Sequence, residues 1–124
     1  MVSVYGIPNC DSVKKARAWL TAHGVAHTFH DFKKAGVPAD RLPAWIEAAG
    51  LDKVLNRQGT TWRKLAPDLQ AGAADEAGAR TLMLANPSVI KRPVVEWGGR
   101  EASITVGFDA QRWEGLAGAA TAAS

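Results

Sequence analysis

The sequence predicts an α/β domain built on a mixed sheet of four strands, with helices flanking the sheet and an all-helical insertion in its middle. Three observations lead there. The chain opens with a strand, helix, strand pattern, its centre shows only helical periodicity, and it closes with two strand-like runs across a pair of glycines before a last helix.

Residues 2–7 are β-branched and alternating until Pro8-Asn9 breaks them, which predicts a strand running into a turn. Over residues 12–23 the apolar Val13, Ala16, Trp19 and Leu20 recur at helical spacing while Lys14, Lys15 and Arg17 fall off that stripe. Gly24 ends this helix, as a glycine just past a C-terminus commonly does. Val25, His27 and Phe29 alternate with Ala26, Thr28 and His30 in a second strand over residues 25–31, followed by a loop at residues 33–36. Two strands joined through a helix are normally parallel with a right-handed crossover.

Leu42, Trp45, Ile46 and Ala49 repeat at i, i+3, i+4 and i+7, giving a helix that Gly50 closes. Helical pieces are then expected over residues 51–55 and 61–65, and a longer one from about Ala74 to the stop at Asn86-Pro87. Asp75 and Glu76 favour the positive end of that helix. Residues 94–97 and 101–106 read as an antiparallel pair, because Gly98-Gly99 supplies the positive φ angles of a tight hairpin. A short helix over residues 110–116 ends the pattern. The expected organisation is one domain over residues 1–117, with the helical insertion at about 38–86 and a small-residue tail, 118–124, that frays.

At 124 residues, with 47% apolar composition and ordinary charge content, the chain is long enough to bury a core without staples. Its single cysteine cannot form an internal disulfide, and residues 1–6 lack the basic start and apolar run of a secretory signal, so the expected location is the cytoplasm. Charges or glycines interrupt every apolar run before the roughly 20 residues a membrane helix needs. The net charge of +3 is spread over separated pairs, Lys14-Lys15, Lys33-Lys34, Arg63-Lys64 and Lys91-Arg92, rather than massed on one element as in a nucleic-acid footprint.

Cys10 is the residue that points to chemistry. It stands where the first strand turns into the first helix, facing unpaired N–H groups and the positive end of the helix dipole. Both favour a thiolate. Lys14, one turn on, adds to this and Asp11 opposes it; position alone does not separate a reactive thiol from an inert buried one. Valine stands at position 13, where a dithiol oxidoreductase would carry its second cysteine. A mixed disulfide on Cys10 therefore needs an external thiol to release it, and glutathione is the abundant cytosolic one.

Arg57 and Arg92 are a pair that could bind an oxyanion or carboxylate in bidentate fashion. The Arg92-Pro93 bond precedes a strand; taken alone, a trans proline is the commoner form there. His23, His27 and His30 have no metal-ligand spacing with Cys10, so no metal is expected, and Trp19, Trp45 and Trp62 fall on helix stripes as core.

Four stretches taken together resemble a known family. They are residues 5–16 (YGIPNCDSVKKA), 29–34 (FHDFKK), 55–64 (LNRQGTTWRK) and 90–94 (IKRPV), and in that order they resemble the ArsC/Spx family, most closely its YffB-like branch, over roughly residues 3–106. The resemblance implies a thioredoxin-like fold with a helical insertion and a cis Pro93 facing the active cysteine. In the arsenate reductases of this family a cysteine attacks arsenate, glutathione attacks the adduct, glutaredoxin completes the reduction, and arginines hold the oxyanion. Cys10, Arg57 and Arg92 occupy the matching positions.

The chain also departs from that pattern. Gly6 stands where the arsenate enzymes carry a histidine, and their third arginine has no counterpart near residues 103–105, Arg100 falling too early. The retained cysteine and arginines suit glutathione, whose carboxylates want cationic partners. The expectation is thus a monomeric, glutathione-dependent thiol reductase with Cys10 as nucleophile and Arg57, Arg92, Pro93, Lys14 and Asn9 around its ligand. Two alternatives are arsenate reduction with glutathione and glutaredoxin, and an Spx-like regulator docking on the RNA polymerase α subunit without contacting nucleic acid directly. Those regulators generally carry the Cys-x-x-Cys switch that is missing here.

Overall fold

In the computed structural model, which describes residues 2–98 and 103–123, the strands β1 (Val2–Gly6), β2 (His27–Asp31), β3 (Val94–Glu96) and β4 (Ile104–Val106) form one sheet in the order β2-β1-β3-β4. Strand β1 pairs parallel with β2 and antiparallel with β3, and β3 pairs antiparallel with β4. The mixed four-stranded sheet is therefore the one read from the sequence.

Because successive side chains of a strand point to opposite faces, β1 supplies both cores. Val2 and Val4 join Val95, Trp97 and Trp113 beneath helix α1 (Asp11–Ala22), whose Ala16 and Leu20 are wholly buried. Tyr5 joins Val94 and Val106 on the other face, under the helical insertion. That insertion comprises α2 (Phe32–Ala35), α3 (Leu42–Ala49), α4 (Leu51–Val54), α5 (Thr60–Arg63), α6 (Pro67–Gly72) and α7 (Glu76–Ala85), then a 3₁₀ turn at Pro87–Val89. Trp45 and Leu42 of α3 are fully buried, as their spacing predicted. Each such side chain contributes roughly 1.5–3 kcal/mol by leaving water.

Glu96 fastens α3 to the sheet. Its carboxylate accepts hydrogen bonds from Arg41 Nε and Trp45 Nε1, both at 2.8 Å, and from the Tyr5 hydroxyl at 3.2 Å. Burial, and then the neighbouring Glu96 charge, push the Tyr5 hydroxyl above its ordinary pKa.

Several boundaries differ from the expectation. The second strand starts at His27, because Val25 is spent closing α1, its N–H donating to the Leu20 carbonyl. Residues 33–36 are not simply a loop: Asp31 accepts from the Lys33 N–H at 2.8 Å and caps the one-turn helix α2, which Gly36 ends at φ 75°. Helix α6 fills a gap in the predicted insertion. The last helix, α8 (Ala110–Ala123), runs through the segment expected to fray; alanine is the strongest helix former, and Ala117 is buried in the core of Val4 and Trp113. Of the expected hairpin, Gly98 has its positive φ of 70°, whereas Gly99 to Ala102, with Arg100, lie outside the described residues. Among the described residues no helix is long and apolar enough to cross a membrane.

Candidate active site around Cys10

The turn between β1 and α1 presents Cys10 as the N-terminal flanking residue of the helix, with extended backbone at φ −95° and ψ 127°. Its N–H donates to the Ile7 carbonyl and its carbonyl accepts the first helical hydrogen bond, from Lys14, at 2.9 Å. The free thiol is half-buried, and Asn9 beside it is exposed. Burial pushes the thiol's pKa up. The Val13 N–H, the Arg92 guanidinium and the Ser12 N–H outweigh that and hold it below the ordinary value. The sulphur makes no side-chain cap hydrogen bond, so the two amides act as dipoles aimed at it rather than as a cap.

Arg92 reaches Cys10 from the segment before β3, and the backbone fixes its guanidinium. Nη1 donates to the carbonyls of Ser88 at 2.8 Å and Ile90 at 3.2 Å, while Nε is buried with no hydrogen-bond partner. An orphaned buried donor is costly, about 1–3 kcal/mol, so the guanidinium keeps this position beside the thiol against a penalty. The Arg92–Pro93 bond is cis, and the buried Pro93 accepts the Gly107 N–H through its carbonyl.

The segments carrying the two arginines lie side by side. Leu55 bridges Ile90, Asn56 donates to the Val89 carbonyl, and Lys91 donates to the Val54 carbonyl, both at 2.8 Å. Arg57 nevertheless turns to its own partners. Its Nη1 donates to Asp52 Oδ1 at 2.6 Å, and its guanidinium carbon stands 5.7 Å from the centre of the Trp62 ring. Together with Lys53 and Lys91 it lines a polar cavity of about 260 Å³. Arg57 and Arg92 thus belong to adjoining sites, one a polar recess and the other beside the sulphur, rather than to one joint clamp.

Lys14, expected next to the thiol, is exposed and lines a different cavity on the outer flank of α1. Trp62, expected only as core, is half-buried against Arg57. Asp52 went unnoticed in the sequence because a spacing of five residues matches no helical neighbour rule, and the Ser88 and Ile90 acceptors are backbone groups that leave no trace in residue type. Among the described residues, no cluster of three or more histidine, cysteine or carboxylate side chains that could hold a metal ion is found.

The two departures noted in the sequence have structural counterparts. Gly6 lies against Val13, so the position lacking a histidine and the position lacking a second cysteine touch. Thr105, within the stretch that lacks the family's third arginine, is buried and accepts from Trp97 Nε1 at 3.0 Å on the face away from the insertion.

Comparison with known proteins agrees with this architecture. The ArsC family model matches residues 5–116. A solved protein called YFFB is 47% identical, with a TM-score of 0.86 over 94% of this chain and 98% of its own. An arsenate reductase (ArsC) related protein from Brucella melitensis is also 47% identical, with a TM-score of 0.69 over 92% of each chain. The global transcriptional regulator Spx of Staphylococcus saprophyticus is 25% identical over 97 residues, 77% of this chain and 72% of its own.

Proposed function

Because the chain belongs to the ArsC family, we propose that it is a glutathione-dependent thiol reductase working through Cys10 alone. The observation that carries this is the setting of the sulphur: a half-buried free thiol at the start of α1, held toward the thiolate by two helix amides and the fixed Arg92 guanidinium. The thiolate attacks the glutathione sulphur of a glutathionylated thiol, forming a Cys10–glutathione disulfide and expelling the substrate thiolate. A glutathione thiolate then attacks the Cys10 adduct, releasing oxidised glutathione and restoring the Cys10 thiolate. Valine at position 13 supports the second step being intermolecular.

In this reading glutathione is a co-substrate and its carboxylates meet the Arg92 guanidinium beside the sulphur and Arg57 in the adjoining recess. The test is intact-mass analysis after exposure to oxidised glutathione. One glutathione adduct, absent in Cys10→Ser and removed by reduced glutathione, is expected. An unmodified chain would overturn the reading.

Reduction of arsenate is the second reading, favoured by the name of the Brucella relative and by the Arg92 donor beside the thiol. An assay with arsenate, glutathione and glutaredoxin separates the two, since the thiol reductase reading expects no turnover above Cys10→Ser. The likeness to Spx adds a non-enzymatic reading, docking on the RNA polymerase α subunit. A pull-down retaining that subunit independently of Cys10 would favour it.

A further inference from the structure

Lys14 and Arg17 are left over by the chemistry at Cys10, and the structure gives them a place. On α1, residues 14, 17, 18 and 22 share one helix face. They line a cavity of about 530 Å³ together with Pro8 and His27. Pro8, Ala18 and Ala22, all exposed, give it an apolar surface, and Lys14, Arg17, Thr21 and His27 make up the polar part of its lining. No carboxylate lines it, and among the described residues neither Lys14 nor Arg17 is ion-paired.

Two of these polar groups are held in place before anything binds. The Arg17 guanidinium carbon stands 4.4 Å from the centre of the Phe29 ring, which fixes it by cation–π attraction. His27 Nδ1 bonds the Val25 carbonyl at 3.0 Å, leaving Nε2 as the ring's free nitrogen. The cavity also begins at the reactive turn: Pro8 lies two residues before Cys10, and the Lys14 N–H donates to the Cys10 carbonyl.

We propose that this groove docks an acidic polypeptide segment, the chain flanking the cysteine whose sulphur exchanges with Cys10. This rests on the thiol-exchange reading above. Two cationic side chains, Lys14 and Arg17, with no acid among the lining residues call for an anionic occupant. The apolar part of the lining suits side chains with methylene stems, such as glutamate, better than a bare oxyanion. The nearness of Pro8 and Lys14 in the chain to Cys10 favours an occupant attached to the reacting sulphur. From residue 10 to residue 17 the helix rises about 10 Å, the length of roughly three extended residues, so the acidic residues lie within about three or four positions of the substrate cysteine. The exchange itself is unchanged: the docked peptide leaves as its thiolate while its glutathione passes to Cys10, with no net oxidation.

The test uses two peptides that differ only in carrying glutamates or glutamines around one glutathionylated cysteine. Peptide release is timed with the wild type and with Arg17→Gln. The expected result is a preference for the glutamate peptide of about five-fold at low salt, shrinking at high salt and falling toward one in Arg17→Gln. A wild-type ratio of one, or a ratio that Arg17→Gln leaves intact, overturns the groove.

If neither peptide reacts, the thiol-exchange reading fails separately, and the groove is read by fluorescence anisotropy with the same peptides carrying serine for cysteine. Binding of the glutamate peptide alone, lost in Arg17→Gln, upholds the anionic groove. Absent or equal binding of the two peptides, or displacement of the glutamate peptide by an equal concentration of single-stranded DNA, overturns it.

Discussion

A Cβ placed on Gly6 would stand 2.7 Å from Val13 Cγ2, closer than non-bonded carbons ever come. Val13 is fully buried, and a β-branched side chain in a helix has essentially one χ1 rotamer, so it cannot swing clear. Glycine at 6 and valine at 13 are therefore one packing solution, in which the helix carrying Cys10 sits directly on the end of β1. Gly6→Ala is expected to cost about 1–3 kcal/mol through overpacking, and Val13→Ala in the same chain to recover much of that cost. A double-mutant cycle by urea unfolding measures the coupling; strictly additive losses would show that the two positions are independent.

That relationship also marks how far the sequence could be read. The strand, helix, strand opening was legible because Val4, Ala16 and Leu20 obey simple periods and are all fully buried. The place of Cys10 at a helix start was legible from the Pro8-Asn9 break after the first strand, although that place fits a reactive and an inert thiol alike. The one-turn helix α2 was not, since it depends on the Asp31 cap, and an Asp-Phe-Lys-Lys-Ala-Gly string reads equally well as a loop. The alanines of α8 looked like a tail because small residues carry no periodic signal, although their propensity is helical. At the site, the partners of Arg57 and Arg92 were hidden for a different reason. The motifs mark Arg57 and Arg92 as a pair, but not that a neighbouring carboxylate occupies one and backbone carbonyls hold the other.

Glu96 tests the attachment of the insertion to the sheet. Its side chain is only 18% exposed and accepts from three groups of different elements. Glu96→Ala leaves the Tyr5 hydroxyl and the Trp45 indole N–H without their acceptor, a loss of about 2–4 kcal/mol in chemical denaturation. Glu96→Gln keeps an acceptor for Trp45 and should lose roughly half as much. Because the Glu96 charge and hydrogen bond reinforce the effect of burial on Tyr5, Glu96→Gln should also lower the midpoint of the phenolate absorbance titration.

Asp52 competes for Arg57 with any carboxylate that enters the adjoining recess. Its side chain is 92% exposed, so little besides the ion pair with Arg57 holds it there. An exposed pair of this kind is worth about 0.2–1 kcal/mol, so Asp52→Asn should tighten binding of an S-alkylated glutathione by about 1.5- to 5-fold at low salt, measured by calorimetry. The gain should fade as ionic strength rises. Weaker binding in Asp52→Asn would mean that the carboxylate orients Arg57 for the ligand rather than competing with it.

The ionisation of Cys10 makes a prediction about stability as well as reactivity. In the unfolded chain its pKa is near 8.5; in the folded chain, burial raises it, but the Val13 amide and Arg92 bring it below the ordinary value. Between those two values the unfolded state binds more protons than the folded one, so folding stability rises with pH across that window. The contribution is fully present above about 8.5 and is lost as pH falls through the folded value. Wild type minus Cys10→Ser, compared by urea unfolding at a series of pH values, should show this rise and then a plateau. Arg92→Gln should narrow the window by raising the folded pKa, moving the midpoint of the alkylation rate against pH upward. An alkylation midpoint unmoved by Arg92→Gln would assign the thiolate to the α1 amides alone, and Arg92 would then act only through the carbonyls of Ser88 and Ile90 that it holds together.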